Sequence, residues 1–377
     1  MNPFEYGGII EPSNFCNRRQ EIHDLTRLIE SRQTVFMYSE RRLGKTSLIH
    51  YVLNRLDKKK FASCRVDLWT TESEISFVKA YAQAISKSLS SPGESLFESA
   101  KKWFSHLLPT LSITPEGKTS LSFQISQSGD HFPGLDSVLE LPETIARKQK
   151  KTIVIAMDEF QQILSYKDSL LIQKLRSIIQ SHRHVCYIFL GSRKHLMQKL
   201  FLDRSQPFYR AGTHYPLDVI GTEHWRPFLQ KKFKLSGKVI SDSQIDRILQ
   251  ITENHPFYTQ HLCHELWEIT GAQVRDKDID SGLELLLKRE SYGFERVWDT
   301  LTRNQKKLLY GIAHSNDAIK PLSQSFLQAF AIPSASSAQR SIEQLFEAGY
   351  VDYKKESLYI TDRFFKLWIL SYIPIQP

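Results

Sequence analysis

The sequence predicts an α/β protein with a mainly parallel, helix-covered sheet and an inserted β-hairpin, then a helical region, then a helix-turn-helix ending in two strands. Three observations carry this. Five short apolar runs, at residues 34–38, 61–68, 152–157, 185–191 and 213–217, alternate with stretches of helical periodicity, the pattern of a sheet buried on both faces. Past Ile220 the apolar spacing is helical only. From about Arg296, three short helices precede strand-like runs at 350–353 and 357–360 that flank Lys354-Lys355-Glu356, the outline of a winged helix.

The chain has 377 residues, which exceeds one ordinary core and suggests two or three domains. With 41% hydrophobic and 24% charged residues it reads as folded and soluble. No apolar run is long enough to cross a bilayer, and residues 1–10 lack the basic-then-apolar layout of a signal peptide, so a cytoplasmic address without membrane partners is expected. Cys16, Cys64, Cys186 and Cys263 are scattered without metal-ligand spacing and read as buried free thiols. The formal charge of +9 favours anionic partners but does not choose between nucleotide, nucleic acid and acidic lipid.

The elements follow in order. A helix is expected to start near Asn17, with Asn17 and Gln20 as a capping box. The run at 34–38 leads into SERRLGKTS and then a helix. Residues 111–127 alternate around Pro115-Glu116-Gly117 and read as a hairpin inserted into the α/β core. Helices are expected at 225–234, 241–252, 257–270 and 278–289. Domain limits of 1–220, 221–295 and 296–377 result.

Ser39-Glu40-Arg41-Arg42-Leu43-Gly44-Lys45-Thr46 matches a phosphate-binding (Walker A) loop except at its first position, where Ser39 replaces glycine. A loop closing onto a helix N-terminus aims backbone N–H groups at phosphates, and Gly44 allows close approach. Lys45 neutralises the β and γ phosphates, the Thr46 hydroxyl ligates Mg²⁺, and Leu43 and Ser47 complete the binding segment. At the glycine position, Ser39 is expected to resist a positive φ. The run at 152–157 ends in Asp158-Glu159: Asp158 suits Mg²⁺, and Glu159 suits a general base that polarises water. Residues 185–191 lead to Ser192-Arg193. Arg193, Arg204 and Arg210 are each able to approach a phosphate, and spacing does not choose among them.

Together these elements resemble the archaeal-type ATPase family of the STAND clade of AAA+ P-loop proteins, related to origin-recognition ATPases. Phe15-Cys16-Asn17-Arg18-Arg19-Gln20-Glu21 is similar to the family's opening segment, with Asn17 at its glycine position and Arg19 at its first glutamate position. Ser39-Glu40-Arg41-Arg42, Asp158-Glu159-Phe160-Gln161 and Gly191-Ser192 match further family patterns, and Asn254-His255-Pro256 resembles its lid motif. The resemblance implies that residues from Phe15 through Asn17 and Arg18 pass the adenine, that Ser192 senses the γ-phosphate, and that Pro256 packs near the base. It also implies a helical lid that closes over ADP and moves the C-terminal domain.

The recognition helix expected at 334–348 presents Ser336, Ser337, Gln339 and Arg340, which suit phosphate or base contact, but also Glu343 and Glu347, which repel phosphate. DNA, a protein partner and nucleotide-dependent self-association all stay open. The reading is an ATP- and Mg²⁺-binding molecular switch that hydrolyses slowly. Its rivals are a DNA-acting factor, origin-recognition-like or regulating transposition, and a non-hydrolysing scaffold that holds ADP.

Overall fold

The computed structural model describes the chain apart from residues 12–13, 90–95, 105–106, 114–118, 125–131, 133, 167–169, 316–319, 355–356 and 375–377. The described residues form two compact units, Ile9–Asp218 and a second made of Met1–Gly8 with Val219–Pro377. The first runs α1 (Arg19–Glu30), β1 (Val35–Tyr38), α2 (Lys45–Arg55), β2 (Phe61–Asp67), α3 (Glu74–Leu89), α4 (Leu96–Trp103), β3 (Leu108–Ile113), β4 (Thr119–Gln124), α5 (Leu135–Gln149), β5 (Thr152–Asp158), α6 (Leu170–Ser181), β6 (Val185–Gly191), α7 (Lys194–Leu202) and β7 (Thr213–Pro216).

Five of these strands form one parallel sheet in the order β2-β5-β6-β1-β7. Every residue of β5 and β6 is buried, which explains their unbroken Ile, Val, Phe and Leu content: both faces of a central parallel strand are covered by helices. Beneath the strand ends lies an aromatic cluster in which Phe36 stacks on Phe201 with centroids 3.7 Å apart and Phe160 tilts against Phe189 at 4.3 Å. It fixes the ends of β1, β5 and β6, the three strands that carry the candidate site. β3 and β4 pair antiparallel, from Leu108 opposite Gln124 to Ile113 opposite Thr119, as a separate two-stranded sheet. The expected Pro115-Glu116-Gly117 turn lies outside the described residues. All four cysteines are buried free thiols, and burial pushes Cys16, Cys64 and Cys186 up to about 12.

The helix expected from Asn17 begins instead at Arg19. Asn17 and Arg18 both hold left-handed φ, 58° and 64°, no side chain caps the helix, and Gln20 bonds Asp24 rather than the cap. The expected capping box is absent because Asn17 is taken up by a tight backbone turn and Gln20 lies within the helix, bonded to Asp24.

The second unit contains α8 (Thr222–Leu235), α9 (Asp242–Thr252), α10 (Pro256–Ile269), α11 (Asp276–Thr300), α12 (Arg303–His314), α13 (Gln324–Ala329), α14 (Ala335–Glu347), the antiparallel pair β8 (Val351–Lys354) and β9 (Ser357–Ile360), and α15 (Arg363–Tyr372). Residues 1–8 pack on it: Phe4 is buried against Phe233 with centroids 5.0 Å apart, and Tyr6 stacks on His261 at 3.9 Å. The helix read at 278–289 is a 25-residue helix that runs through residues 295–296. Its C-terminal half is held by α15: Phe294 meets Phe365, and Trp368 Nε1 donates to Ser291 Oγ at 2.7 Å. Such tertiary packing carries the helix through Gly293. Of the residues read as a recognition helix, Ser336, Gln339 and Arg340 are exposed on α14, and Ser337 Oγ accepts from Asn304.

Candidate functional site

β1 ends at Tyr38, and residues 39–44 turn the chain into α2. The left-handed positions of this turn are Arg42 (φ 61°) and Gly44 (φ 88°). A Cβ added at Gly44 would meet no atom within 4 Å, so glycine is required there for its dihedral and not for lack of space. Ser39 is not among the residues with positive φ, so the serine at the motif's first position carries no such strain. Its hydroxyl donates to Glu40 O at 2.9 Å and accepts from Lys45 Nζ at 2.8 Å. α2 has no side-chain cap and no acidic residue in its own first turn, so its positive dipole end faces the loop.

Lys45 is only 5% exposed. Its ammonium donates to Ser39 Oγ, to Glu40 O at 2.9 Å and, longer, to Ser39 O at 3.4 Å. Burial lowers it to about 8, against the opposing pull of the Glu159 and Asp158 carboxylates.

β5 delivers the two carboxylates. Asp158 Oδ2 accepts from Thr46 Oγ1 at 2.8 Å and from Arg65 Nη1, on neighbouring β2, at 3.2 Å. Burial raises the Asp158 carboxyl, with the Thr46 hydrogen bond acting the other way. Glu159 takes a left-handed φ of 54° and opens a 3₁₀ turn over Phe160–Ser165. Its Oε2 accepts from Gln161 Nε2 at 2.5 Å and Ser192 Oγ at 2.6 Å. Because β6 lies between β5 and β1, Ser192 at its end stands between the phosphate loop and the carboxylates. Gln161 is 3% exposed, and its Oε1 has no hydrogen-bond partner among the described residues.

The residues fit Mg²⁺ with a nucleotide. One hydroxyl and one carboxylate, already 2.8 Å apart, are the small oxygen set with which a protein holds an ion that keeps waters and phosphate oxygens. Among the described residues, no group of three or more His, Cys, Asp or Glu offers an all-protein cage instead.

The structure thus brings together Ser39, Gly44, Lys45, Thr46, Asp158, Glu159 and Ser192. Other expected residues are engaged differently. Arg18 is buried and ties chain segments together, Nη1 to Glu21 at 2.6 Å and Nη2 to the carbonyls of Asp218 at 2.8 Å and Leu43 at 3.4 Å. Asn17 shares its left-handed turn, and Phe15 packs on Tyr51 of α2. Leu43 is buried, and Ser47 Oγ accepts from Ile10 N at 3.1 Å. Arg41 and Arg42 are exposed, with Arg41 over the Trp69 ring at 5.3 Å. Arg193, at the N-cap of α7, and Arg204 are exposed, and Arg210 lies over Tyr209. None of these three makes a described contact with Lys45, Asp158 or Glu159. Pro256 is the first residue of α10, after left-handed Glu253 and Asn254. Arg65 and Gln161 were not singled out as site residues. A lone arginine inside the β2 run Phe-Ala-Ser-Cys-Arg-Val-Asp was the readable signal for the first.

A strand-loop-helix phosphate cradle, a neighbouring strand ending in two carboxylates and a polar residue on the strand between them define a P-loop ATPase fold, here followed by a winged helix. Residues 15–262 match the family described as "ATPase domain predominantly from Archaea", and 292–371 match "Probable winged helix domain". The chain belongs to that archaeal ATPase family. It is similar in fold to the Walker-type ATPase PABY2304 of Pyrococcus abyssi (16% identity, TM-score 0.68, 98% of this chain and 99% of that one). It is also similar to the Aeropyrum pernix ORC2 protein in its ADPNP-ADP complexes (13%, 0.56, 98% of each) and to ORC1 of the same organism in complex with DNA (14%, 0.51, 97% and 94%). No curated protein sequence matches the chain.

Proposed function

We propose that the chain is a nucleotide-dependent switch of the STAND type, acting in the cytoplasm, that binds ATP with Mg²⁺, hydrolyses it slowly and couples nucleotide state to the winged helix. The observation that carries this reading is the buried Lys45 at an uncapped helix N-terminus, with Thr46 and Asp158 already paired beside it. Lys45 and the amides of α2 bind the phosphates, and Thr46 and Asp158 hold Mg²⁺, which supplies charge neutralisation there. Glu159 accepts a proton from the attacking water, held in place by Gln161 and Ser192. Arg18 serves to fix the opening segment against the phosphate loop, and the residues near Phe15 flank the base.

Calorimetric titration with ATP, paired with a phosphate-release assay, tests this. Lys45→Ala is expected to abolish ATP binding, and Glu159→Gln to keep binding while turnover stops. Wild-type affinity in Lys45→Ala would remove the loop's assignment. An ADP-retaining scaffold is the outcome if the wild type copurifies with ADP and never turns over. A DNA-acting factor draws support from the winged helix and from a fold relative solved with DNA.

A further inference from the structure

The excess positive charge is confined to one unit. Residues 9–218 hold thirty Lys and Arg against twenty-one Asp and Glu, a net of +9, whereas the unit containing the winged helix holds twenty of each. Within the charged unit, much of the excess collects where the parallel strands begin, the end of the sheet opposite the phosphate loop. Lys58, Lys59 and Lys60 precede β2, Lys150 and Lys151 precede β5, and Arg183 lies just before β6.

The topology sets these turns side by side. Thr152 N donates to Lys60 O at 2.9 Å, Ile153 N to His184 O at 2.9 Å, and Arg32 Nη1 to Arg183 O at 3.1 Å. Neighbouring strands are about 4.8 Å apart, so from Lys60 before β2 to Arg32 before β1, across three strand spacings, the cations form a row roughly 15 Å long. Three of the nearby acids have hydrogen-bond partners of their own. Glu143 accepts from Arg147 and His184, which hold it down at about 2, Glu140 accepts from His182, and Asp57 Oδ1 accepts from Lys59 N; with these and the exposed Glu30 counted, the cations still outnumber the acids. Lys58, Lys59, Lys60, Lys150 and Lys151 form no ion pair among the described residues, and all but the partly buried Lys151 are exposed.

We propose that this base of the sheet is a docking surface for the phosphate backbone of double-stranded nucleic acid. Charge complementarity selects a polyanion. No large apolar side chain is exposed on these strand-leading turns. A protein interface would need aromatic anchors, a membrane an apolar wedge, and a single strand stacking platforms. A duplex, read through its phosphates alone, needs none of these. The surface lies at the end of the sheet opposite the phosphate loop.

The test uses the full chain and a fluorescein-labelled mixed-sequence duplex of about thirty base pairs, followed by anisotropy across a salt series from about 50 mM. The wild type is expected to bind with micromolar affinity that falls steeply with salt. A Lys60→Glu, Lys151→Glu, Arg183→Glu variant, checked for unchanged melting, should bind at least tenfold more weakly, with the log–log salt slope reduced by about 2 to 3. Arg340→Glu on α14 should bind as the wild type does. The proposal is overturned if the triple variant binds normally, if Arg340→Glu alone abolishes binding, if the wild type does not bind at low salt, or if single strands or phosphatidylserine vesicles bind better than the duplex. ATP titration of the triple variant keeps this outcome distinct from that of the nucleotide site.

Discussion

Replacing Lys45 by methionine should remove nucleotide binding and yet make the nucleotide-free protein more stable. The ammonium is buried, and its fall from 10.5 to about 8 corresponds to about 3 kcal/mol held against the folded state at neutral pH. Methionine keeps much of the stem's packing and has no charge to bury, but it leaves Glu40 O and Ser39 Oγ short of a donor at about 1 kcal/mol each. The balance is a gain of about 1 kcal/mol, or about 2–4 °C in Tm for a unit of this size. The sign with pH follows. Between about 8 and 10.5 the unfolded chain binds the proton that folded Lys45 has released, so wild-type stability rises with pH there, while the variant lacks this contribution. Thermal melts in EDTA at neutral and alkaline pH should therefore show a gap that narrows as pH rises. With ATP and Mg²⁺ at about a hundred times Kd, the wild type alone should gain about 2.7 kcal/mol. A variant that melts below the wild type at neutral pH, or that still responds to nucleotide, would refute the reasoning.

Because phosphate binding needs the charged lysine, ATP affinity measured by titration should be flat at neutral pH and decline up to about tenfold per pH unit above about 8; Lys45→Arg should abolish that decline. Ser192→Ala removes one of two donors that hold Glu159, and should lower turnover about tenfold or more in a phosphate-release assay while ATP affinity holds. Arg65→Met frees Asp158 Oδ2 of its cation. Mg²⁺ titrations of ATP binding should show about threefold or tighter metal dependence at neutral pH, with the acid limb displaced to higher pH as the buried carboxyl loses the guanidinium that lowers it.

The sheet was legible because its central strands are continuous apolar runs, and the phosphate loop because lysine and threonine at that spacing sit between a strand and a helix. Elements that depend on distant packing were less legible. α11 reads as ending near Arg289 until Phe294 and Trp298 find Phe365 and Trp368 of α15, some seventy residues later in the chain. Local propensity cannot report such contacts. Residues 1–8 likewise carry no signal that Phe4 and Tyr6 belong with α8 and α10 rather than with the sheet that follows them.

Backbone strain around the site hid the rest. Of the ten non-glycine residues with positive φ among those described, four (Asn17, Arg18, Arg42 and Glu159) belong to the opening segment, the phosphate loop or the carboxylate pair. Each costs on the order of 1 kcal/mol or more, and neither arginine nor glutamate advertises that conformation in a sequence. At Glu159 the strain has an identifiable return. The left-handed turn takes the carboxylate off the line of β5 and into reach of Ser192, just past the end of β6, and of Gln161 two residues on. With an extended φ the two acids would follow the alternation of the strand and point to opposite faces of the sheet, which would separate the metal ligand from the base. The departure from ordinary strand geometry is therefore what allows adjacent residues to take two different roles in one pocket.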